Sequence, residues 1–372
     1  QSVVLLENNG ILPLKDVKNV LVTGPNANSM WAMCGDYSFP SMSYFWKHNT
    51  EDLEHAPIVK LLEGMNARKP EGVNILYSRG CDWTEEIETK YTETGDERAW
   101  EYTLLHRKVD SGEVADKKEA LGMAKQSDVI IAAMGENVML CGENRDRQGL
   151  RLPGKQEQYV EELLATGKPV VLILFGGRAQ VVAGIAERCA AVIQAWYPGE
   201  EGGNAVADIL YGNVSPSAKL SVSYPNTEVY EPLCYNYSVE KDARVAWPFG
   251  YGLSYTTFQY SNLGADKKEF GPDDVLEFEV TVSNTGNVAG KEAVLLYSSD
   301  LFASLVPDSR RLRAFEKISL EPGESKVVRL AVPATDLAFV NYDGKWTLEE
   351  GDFRIQVGDQ VTMVHCNTTK VW

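Results

Sequence analysis

Four ionisable residues crowd one short stretch of this chain. Glu143, Arg145, Asp146 and Arg147 fall within five positions of "CGENRDRQGLRLPG" (Cys141–Gly154). A carboxyl such as Glu143 can give and take a proton near neutral pH when burial or neighbouring charge raises its pKa. The two arginines act in the opposite sense and would lower it. An ion-paired, solvated turn has the same composition, so the local sequence leaves both a catalytic and a structural role open. The position is informative. The stretch follows "DVIIAAMG", a near-continuous apolar run that suits a strand buried on both faces. Glu136 stands directly at the end of that run.

Two other stretches hold residues that could bind a ligand. "PGEEGGNA" (Pro198–Ala205) places glycines before a helical pattern, where backbone amides can meet an anion. It has neither the Lys-Ser/Thr of a P-loop nor the glycine spacing of a dinucleotide fold, so a tight acidic turn is the plainer account. "GDYSFPSMSYFWKH" (Gly35–His48) concentrates Tyr37, Phe39, Tyr44, Phe45 and Trp46 on a stretch read as a loop. Aromatics so placed either stack on a ligand ring or fill a seam between domains.

These loops need a scaffold. "NVLVTG", "VNILYS", "DVIIAAMG", "PVVLILFGG" and "AAVIQAW" are short, nearly unbroken apolar runs, and amphipathic segments alternate with them: "PIVKLLEGM", "KKEALGMAKQ" and "KQEQYVEELLATG". In the last, Tyr159, Val160, Leu163 and Leu164 share one face and Gly167 ends the pattern. Strand–helix alternation predicts an α/β sandwich, a mainly parallel sheet flanked by helices, over residues 1–224. In such sheets ligands gather beyond the carboxyl ends of the strands, where Glu136 and the loop after it belong. Residues 225–256 are rich in Tyr, Pro and Asn without periodicity and predict an ordered linker. From 257 to 372 the period changes to two: Leu276, Phe278, Val280 and Val282 alternate with polar residues. "EAVLLYSSD", "SKVVRLAV" and "FRIQVGD" follow between turn signals at Pro322-Gly323 and Asp343-Gly344. This predicts an antiparallel β-sandwich.

Composition narrows the function. The chain has 372 residues, 44% hydrophobic and 24% charged, with a formal net charge of −17. Such an acidic surface disfavours nucleic acid and anionic membranes as partners, and no apolar run reaches the ~18 residues of a membrane span. Six scattered cysteines without a C-x-x-C pair and four histidines without ligand-like spacing argue against a metal site. No cofactor motif is present. Cys189, in an apolar stretch, reads as a buried thiol. The chain opens at Gln1 without Met, which reads as a cut beginning and leaves the compartment open.

Taken in order, "SVVLLENNGILPL", "VLVTGPNA", "CGDYSFP", "SRGCDW", "GENRDRQGLRLPGKQEQYVEELLATGKPVVLILFGGRA", "QAWYPGEEGGNAVADILYG" and "WPFGYGLSYTTF" resemble landmarks of glycoside hydrolase family 3. "VSNTGNVAGKEAVLLY", "AFEKISLEPGES" and "LEEGDFRIQVG" resemble the fibronectin type III-like domain of the same family. The resemblance runs from about Ser2 to about Gly358. It implies a retaining β-glycosidase, foremost a β-glucosidase, with Glu143 as the general acid/base. It also implies Asp36, Tyr37 and Arg147 at the substrate, with Arg145, Asp146 and Arg147 shaping the loop by pairing with Glu136 or one another. The family's nucleophile, an Asp in an S-D-W motif, belongs to a (β/α)8 barrel. No S-D-W occurs here, and "CDW" (Cys81–Trp83) belongs to a different landmark. The resemblance therefore implies the sandwich and fibronectin-like part of an enzyme. Its partners would be a β-glycoside or oligosaccharide substrate and a barrel domain, and this chain alone would be inactive. A non-catalytic carbohydrate-binding or structural module of the same fold is the alternative. A nucleotide-binding α/β domain is remote, because the phosphate motifs are missing.

Overall fold

A computed structural model of the chain describes residues 1–47, 56–83, 114–138, 140–142, 147, 149–229, 233–237 and 244–372, with backbone alone for 44–47. Two compact units form. One comprises residues 1–216 with 224–230, the other residues 217–223 with 231–372.

The first unit is built on six strands: β1 (Val4–Asn8), β2 (Asn19–Thr23), β3 (Asn74–Ser78), β4 (Val129–Gly135), β5 (Val170–Phe175) and β6 (Ala191–Trp196). Their order is β3-β2-β4-β5-β6-β1. The pairs β2–β3, β2–β4, β4–β5 and β5–β6 are parallel, and β1 joins β6 antiparallel. All seven residues of β4 and all six of β5 are buried. Their sequences are unbroken runs because a parallel sheet is covered on both faces, and each fully buried Val, Ile or Leu contributes about 1.5–3 kcal/mol.

Helices α1 (Phe39–Lys47), α2 (Leu61–Arg68), α3 (Lys117–Gln126), α4 (Gln156–Leu164), α5 (Ala183–Ala186) and α6 (Gly202–Leu210) are the described ones. Two depart from the sequence expectations. The aromatic stretch is not all loop. After the turn at Asp36–Tyr37 it becomes α1, entered through the Ser38 carbonyl, which accepts the Met42 amide at 2.9 Å. Pro40 lies in the first turn, where its missing N–H costs nothing. Helix α2 begins four residues after Pro57, although the pattern "PIVKLLEGM" reads with that proline in the first helical turn. Val59 instead donates to Glu200 O at 2.8 Å and accepts from Gly203 N at 2.9 Å, which keeps 57–60 out of the helix. Lys60 then opens α2, its amide donating to Glu63 Oε2 at 3.0 Å. The tight acidic turn expected of "PGEEGGNA" does form, with the Gly202 amide donating to Gly199 O at 2.9 Å, and its glycines also serve packing. A β-carbon on Gly203 would stand 2.0 Å from Lys60 O, and one on Gly64 2.2 Å from Gly203 C. These glycines let α2 and α6 approach closely, and one of the α6 N-terminal amides is already taken by Val59 O.

The second unit is all-β. One sheet orders Glu269–Phe270, Gln360–Cys366, Gly351–Val357, Gly290–Asp300 and Arg311–Leu320; a second orders Ser325–Pro333, Val275–Asn284 and Phe258–Ala265; a small third orders Phe339–Val340, Trp346–Leu348 and Lys370–Val371. Leu276, Phe278, Val280 and Val282 point into a common core with Val294, Leu296, Phe353 and Ile355, as period-two alternation requires. Residues 217–223 join this unit rather than the α/β layer. Leu220 donates to Tyr251 O at 2.7 Å and accepts from Gly250 N at 2.8 Å, pairings that no local periodicity announces.

Candidate active site

The sheet order places a topological switch between β2 and β4. Chain connections leave in opposite directions there, which is the point of such a sheet where ligand crevices generally form. Asp36 and Tyr37 lie on the connection after β2, and Glu136 to Leu150 on the loop after β4.

The β4 loop begins with enforced geometry. Gly135 has φ +117°, and a β-carbon on it would meet Phe175 O at 2.0 Å. Only glycine fits. Gln156, fully buried at the start of α4, holds both backbone groups of Gly135. Its Oε1 accepts the Gly135 amide at 2.7 Å and its Nε2 donates to the Gly135 carbonyl at 2.9 Å.

Glu136 comes next, with no exposed surface. Arg147 Nε donates to its Oε1 at 2.7 Å, and Arg178 donates from Nε to Oε2 at 3.1 Å and from Nη2 to Oε1. Arg178 Nη1 reaches the Arg147 carbonyl at 3.1 Å, and Arg147 Nη2 reaches the carbonyl of Arg151. Burial opposes the charge on Arg178, yet the bonds to Glu136 outweigh it and its pKa rises. A fully buried carboxylate thus clasps two arginines, one from the loop's far end and one from the turn after β5.

The far end has a second carboxylate. Glu228 accepts from Leu150 N at 3.0 Å and from Arg151 N at 3.0 Å. An isolated bridge joins Arg151 to Val181. The stretch is therefore held at both ends, at Glu136 and at Arg147, Leu150 and Arg151.

Tyr197 ties the neighbouring loops together. A β-carbon on Gly177 would lie 3.2 Å from its Cε2, and one on Gly35 3.7 Å from its Cδ2. The same ring thus packs beside the residue before Arg178 and the residue before Asp36. Burial, then the charges of Cys141 and Glu136, push its phenol pKa up. Trp196, just before it, holds φ +61°, a strained conformation for a non-glycine residue.

Of the residues expected from sequence, Tyr37 is 68% exposed and Asp36 partly so. Arg147 is paired with Glu136 as described. Glu143, Arg145 and Asp146 lie outside the described residues, as do the side chains of Tyr44, Phe45 and Trp46. Asp82 of "CDW" is committed elsewhere: it pairs with buried Arg79 at 2.9 Å, whose guanidinium lies 4.6 Å above the Trp83 ring. Cys189 is buried, and burial raises its thiol pKa to about 12. Among the described residues no cluster of His, Cys, Asp and Glu is placed to hold a metal ion.

Arg178, Gln156 and Glu228 are site residues that pattern reasoning missed. Arg178 carries a weak signal, since it follows two glycines at the end of a buried strand. Gln156 sits on the helix face otherwise read as apolar, and Glu228 lies in a stretch without periodicity.

The profile of the glycosyl hydrolase family 3 C-terminal domain matches residues 3–255, and that of the fibronectin type III-like domain matches residues 292–361. A "Lysosomal beta glucosidase" of Dictyostelium discoideum is 35% identical over 97% of the chain and 42% of its own length. A "Beta-xylosidase" of Formosa agariphila is 32% identical over 96% of the chain and 47% of its own length. Among solved structures, a β-glucosidase from Erythrobacter marinus superimposes with a TM-score of 0.78 at 34% identity, covering 98% of this chain and 49% of that one. The chain spans about half the length of the relatives it matches.

Proposed function

Because the chain belongs to glycoside hydrolase family 3, we propose that it forms part of a retaining β-glycosidase, of the β-glucosidase type, and supplies the general acid/base carboxyl Glu143. The nucleophile would be an aspartate of a barrel domain outside this chain. The observation that carries the proposal is the double clamp on the β4 loop: Glu136 with Arg147 and Arg178 at one end, Glu228 at the other. The loop so anchored follows the strand at the switch point, and Glu143 belongs to it in sequence.

A retaining enzyme needs two carboxyls about 5 Å apart. The nucleophile would form a glycosyl-enzyme while Glu143 protonates the leaving oxygen. Glu143 would then take a proton from the attacking water. Arg147 is already engaged by Glu136 and the Arg151 carbonyl. Tyr37, an exposed side chain, offers a ring for stacking in the leaving-group subsite. Asp36 and Arg147 offer an acceptor and a donor for substrate hydroxyls. This chain alone would not turn over, since it contributes one of the two carboxyls.

The test uses the complete enzyme. Glu143→Ala should slow substrates with poor leaving groups by about 10²–10⁴-fold more than activated aryl glycosides, which need no proton in the first step. Azide should restore rate and give a glycosyl azide of retained configuration. Equal slowing of both substrate classes without azide rescue rejects Glu143. Turnover of aryl β-glycosides by the 372-residue chain on its own rejects the division of carboxyls.

A further inference from the structure

The fibronectin-like unit has a concavity of its own. Residues 301–310 join the strands Gly290–Asp300 and Arg311–Leu320, and the short strands Phe339–Val340 and Trp346–Leu348 contribute the opposite wall. Between them is a cavity of ≈ 350 Å³, at the lower end of the roughly 300–1,000 Å³ of small-ligand sites. Leu337, Phe339 and Trp346 make an apolar wall, and Trp346 is 54% exposed.

The polar wall is unusual in what it leaves undone. Arg311 is neutralised by Asp308 at 2.9 Å. Arg313 has no carboxylate in ion-pair range among the described residues. Its Nε donates to Ser298 Oγ at 2.7 Å and its Nη1 to the Asp336 carbonyl, which leaves Nη2 without a described partner. Asp300 Oδ1 accepts the Phe302 amide at 3.1 Å, and Oδ2 has no described partner. Burial pushes the Arg313 pKa down to about 10 and the Asp300 carboxyl up. A donor and an acceptor are therefore held partly out of water with bonding capacity to spare.

The occupant must satisfy both. The four ionisable groups of the wall, Asp300, Asp308, Arg311 and Arg313, sum to no net charge. An anion would be repelled by Asp300 and a cation by Arg313, while an aliphatic ligand would bury both without bonds. A hydroxyl both donates and accepts, so adjacent hydroxyls on one ring can bond Arg313 and Asp300 while the C–H face of that ring packs on Trp346. We propose that this cavity, lined wholly by residues of the fibronectin-like unit, binds one or two neutral pyranose units. The inference is independent of the role given to Glu143, since every residue of the cavity belongs to the other unit.

The Trp346 indole N–H resonance, assigned by its absence from the Trp346→Phe spectrum, gives a local readout on the 372-residue chain. Methyl β-glucoside, methyl β-xyloside, cellobiose, acetate and sulfate serve as probes. The expected result is a saturable shift with at least one sugar at millimolar concentration and none with acetate or sulfate. Asp300→Asn should weaken that sugar about tenfold, as loss of a hydrogen bond to a charged acceptor would. Val306→Trp, at a rim position 97% exposed and so harmless to folding, should block it. An indole signal that no sugar moves overturns the proposal. So does a shift that acetate or sulfate reproduces, or one that Val306→Trp leaves intact.

Discussion

Arg147 reaches back eleven residues to place its Nε 2.7 Å from Oε1 of Glu136. This bond closes the β4 loop onto the strand it left, and Arg178 closes the other side of the same carboxylate. The described ends of the loop are thus held by this buried charge together with the buried side chains of Val138, Leu140 and Leu152.

Removing that charge should be costly. Glu136→Gln leaves two guanidinium groups facing a neutral amide, and breaking a buried pair destabilises strongly. Because the arginines retain 22% and 26% exposure, the loss should be about 3 kcal/mol, near the lower bound for buried pairs. Urea denaturation of the chain measures it; a change within error of zero would mean that the cluster does not hold the loop.

Gly135→Ala should destabilise by roughly 3 kcal/mol, from positive φ together with the overlap on Phe175 O. Gly122→Ala is the contrasting case. Gly122 lies in α3 with nothing near its would-be β-carbon, so the substitution should stabilise by about 0.5–1 kcal/mol. Thermal melts of the two variants should move in opposite directions.

Glu228→Ala should release the far end of the loop without unfolding the sheet. Losing bonds from two backbone amides to a charged acceptor costs about 1.5–3 kcal/mol locally. Tryptic cleavage at Arg145, Arg147 or Arg151 should accelerate at least about tenfold, because proteolysis follows local opening. Unchanged cleavage kinetics would assign Glu228 no anchoring role.

Asp128 gives a pH signature. It accepts the Lys18 and Asn19 amides at 2.8 Å each, and the Asn19 bond followed by the Lys18 bond lowers its pKa below the usual 3.8. The unfolded chain then binds the proton more readily than the folded one, so stability rises with pH through this range. The contribution is complete above about pH 5 and disappears as pH falls through the folded-state pKa. Asp128→Asn should flatten the stability curve below pH 4 relative to the parent and leave its slope near pH 7 unchanged; an unaltered acid limb would remove Asp128 from the account.

The sequence by itself determined the two architectures. Unbroken runs such as "VIIAAMG" and "VVLILF" can be stable in water only when both faces are covered. The alternation in "VLEFEVTV" fits only a sheet with one wet face. It also placed Glu136 at a strand end, because the apolar run stops directly before it, whereas only the family resemblance singles out Tyr37. Ordered landmarks along the chain brought the family within reach. The antiparallel edge strand β1 was not legible, since "VLLEN" pairs with β6 more than 180 positions away and a pairing at that distance leaves no local trace. The helical turn of the aromatic stretch and the glycine-mediated contact of α2 with α6 were equally hidden. Only the tertiary structure decided which charges meet. Arg178, Glu228 and Gln156 reach the β4 loop from separate places along the chain, and a hydrogen bond between distant residues follows no sequence period. Hydrophobic burial is encoded residue by residue, whereas the pairing of buried charges exists only once the elements that bear them have packed.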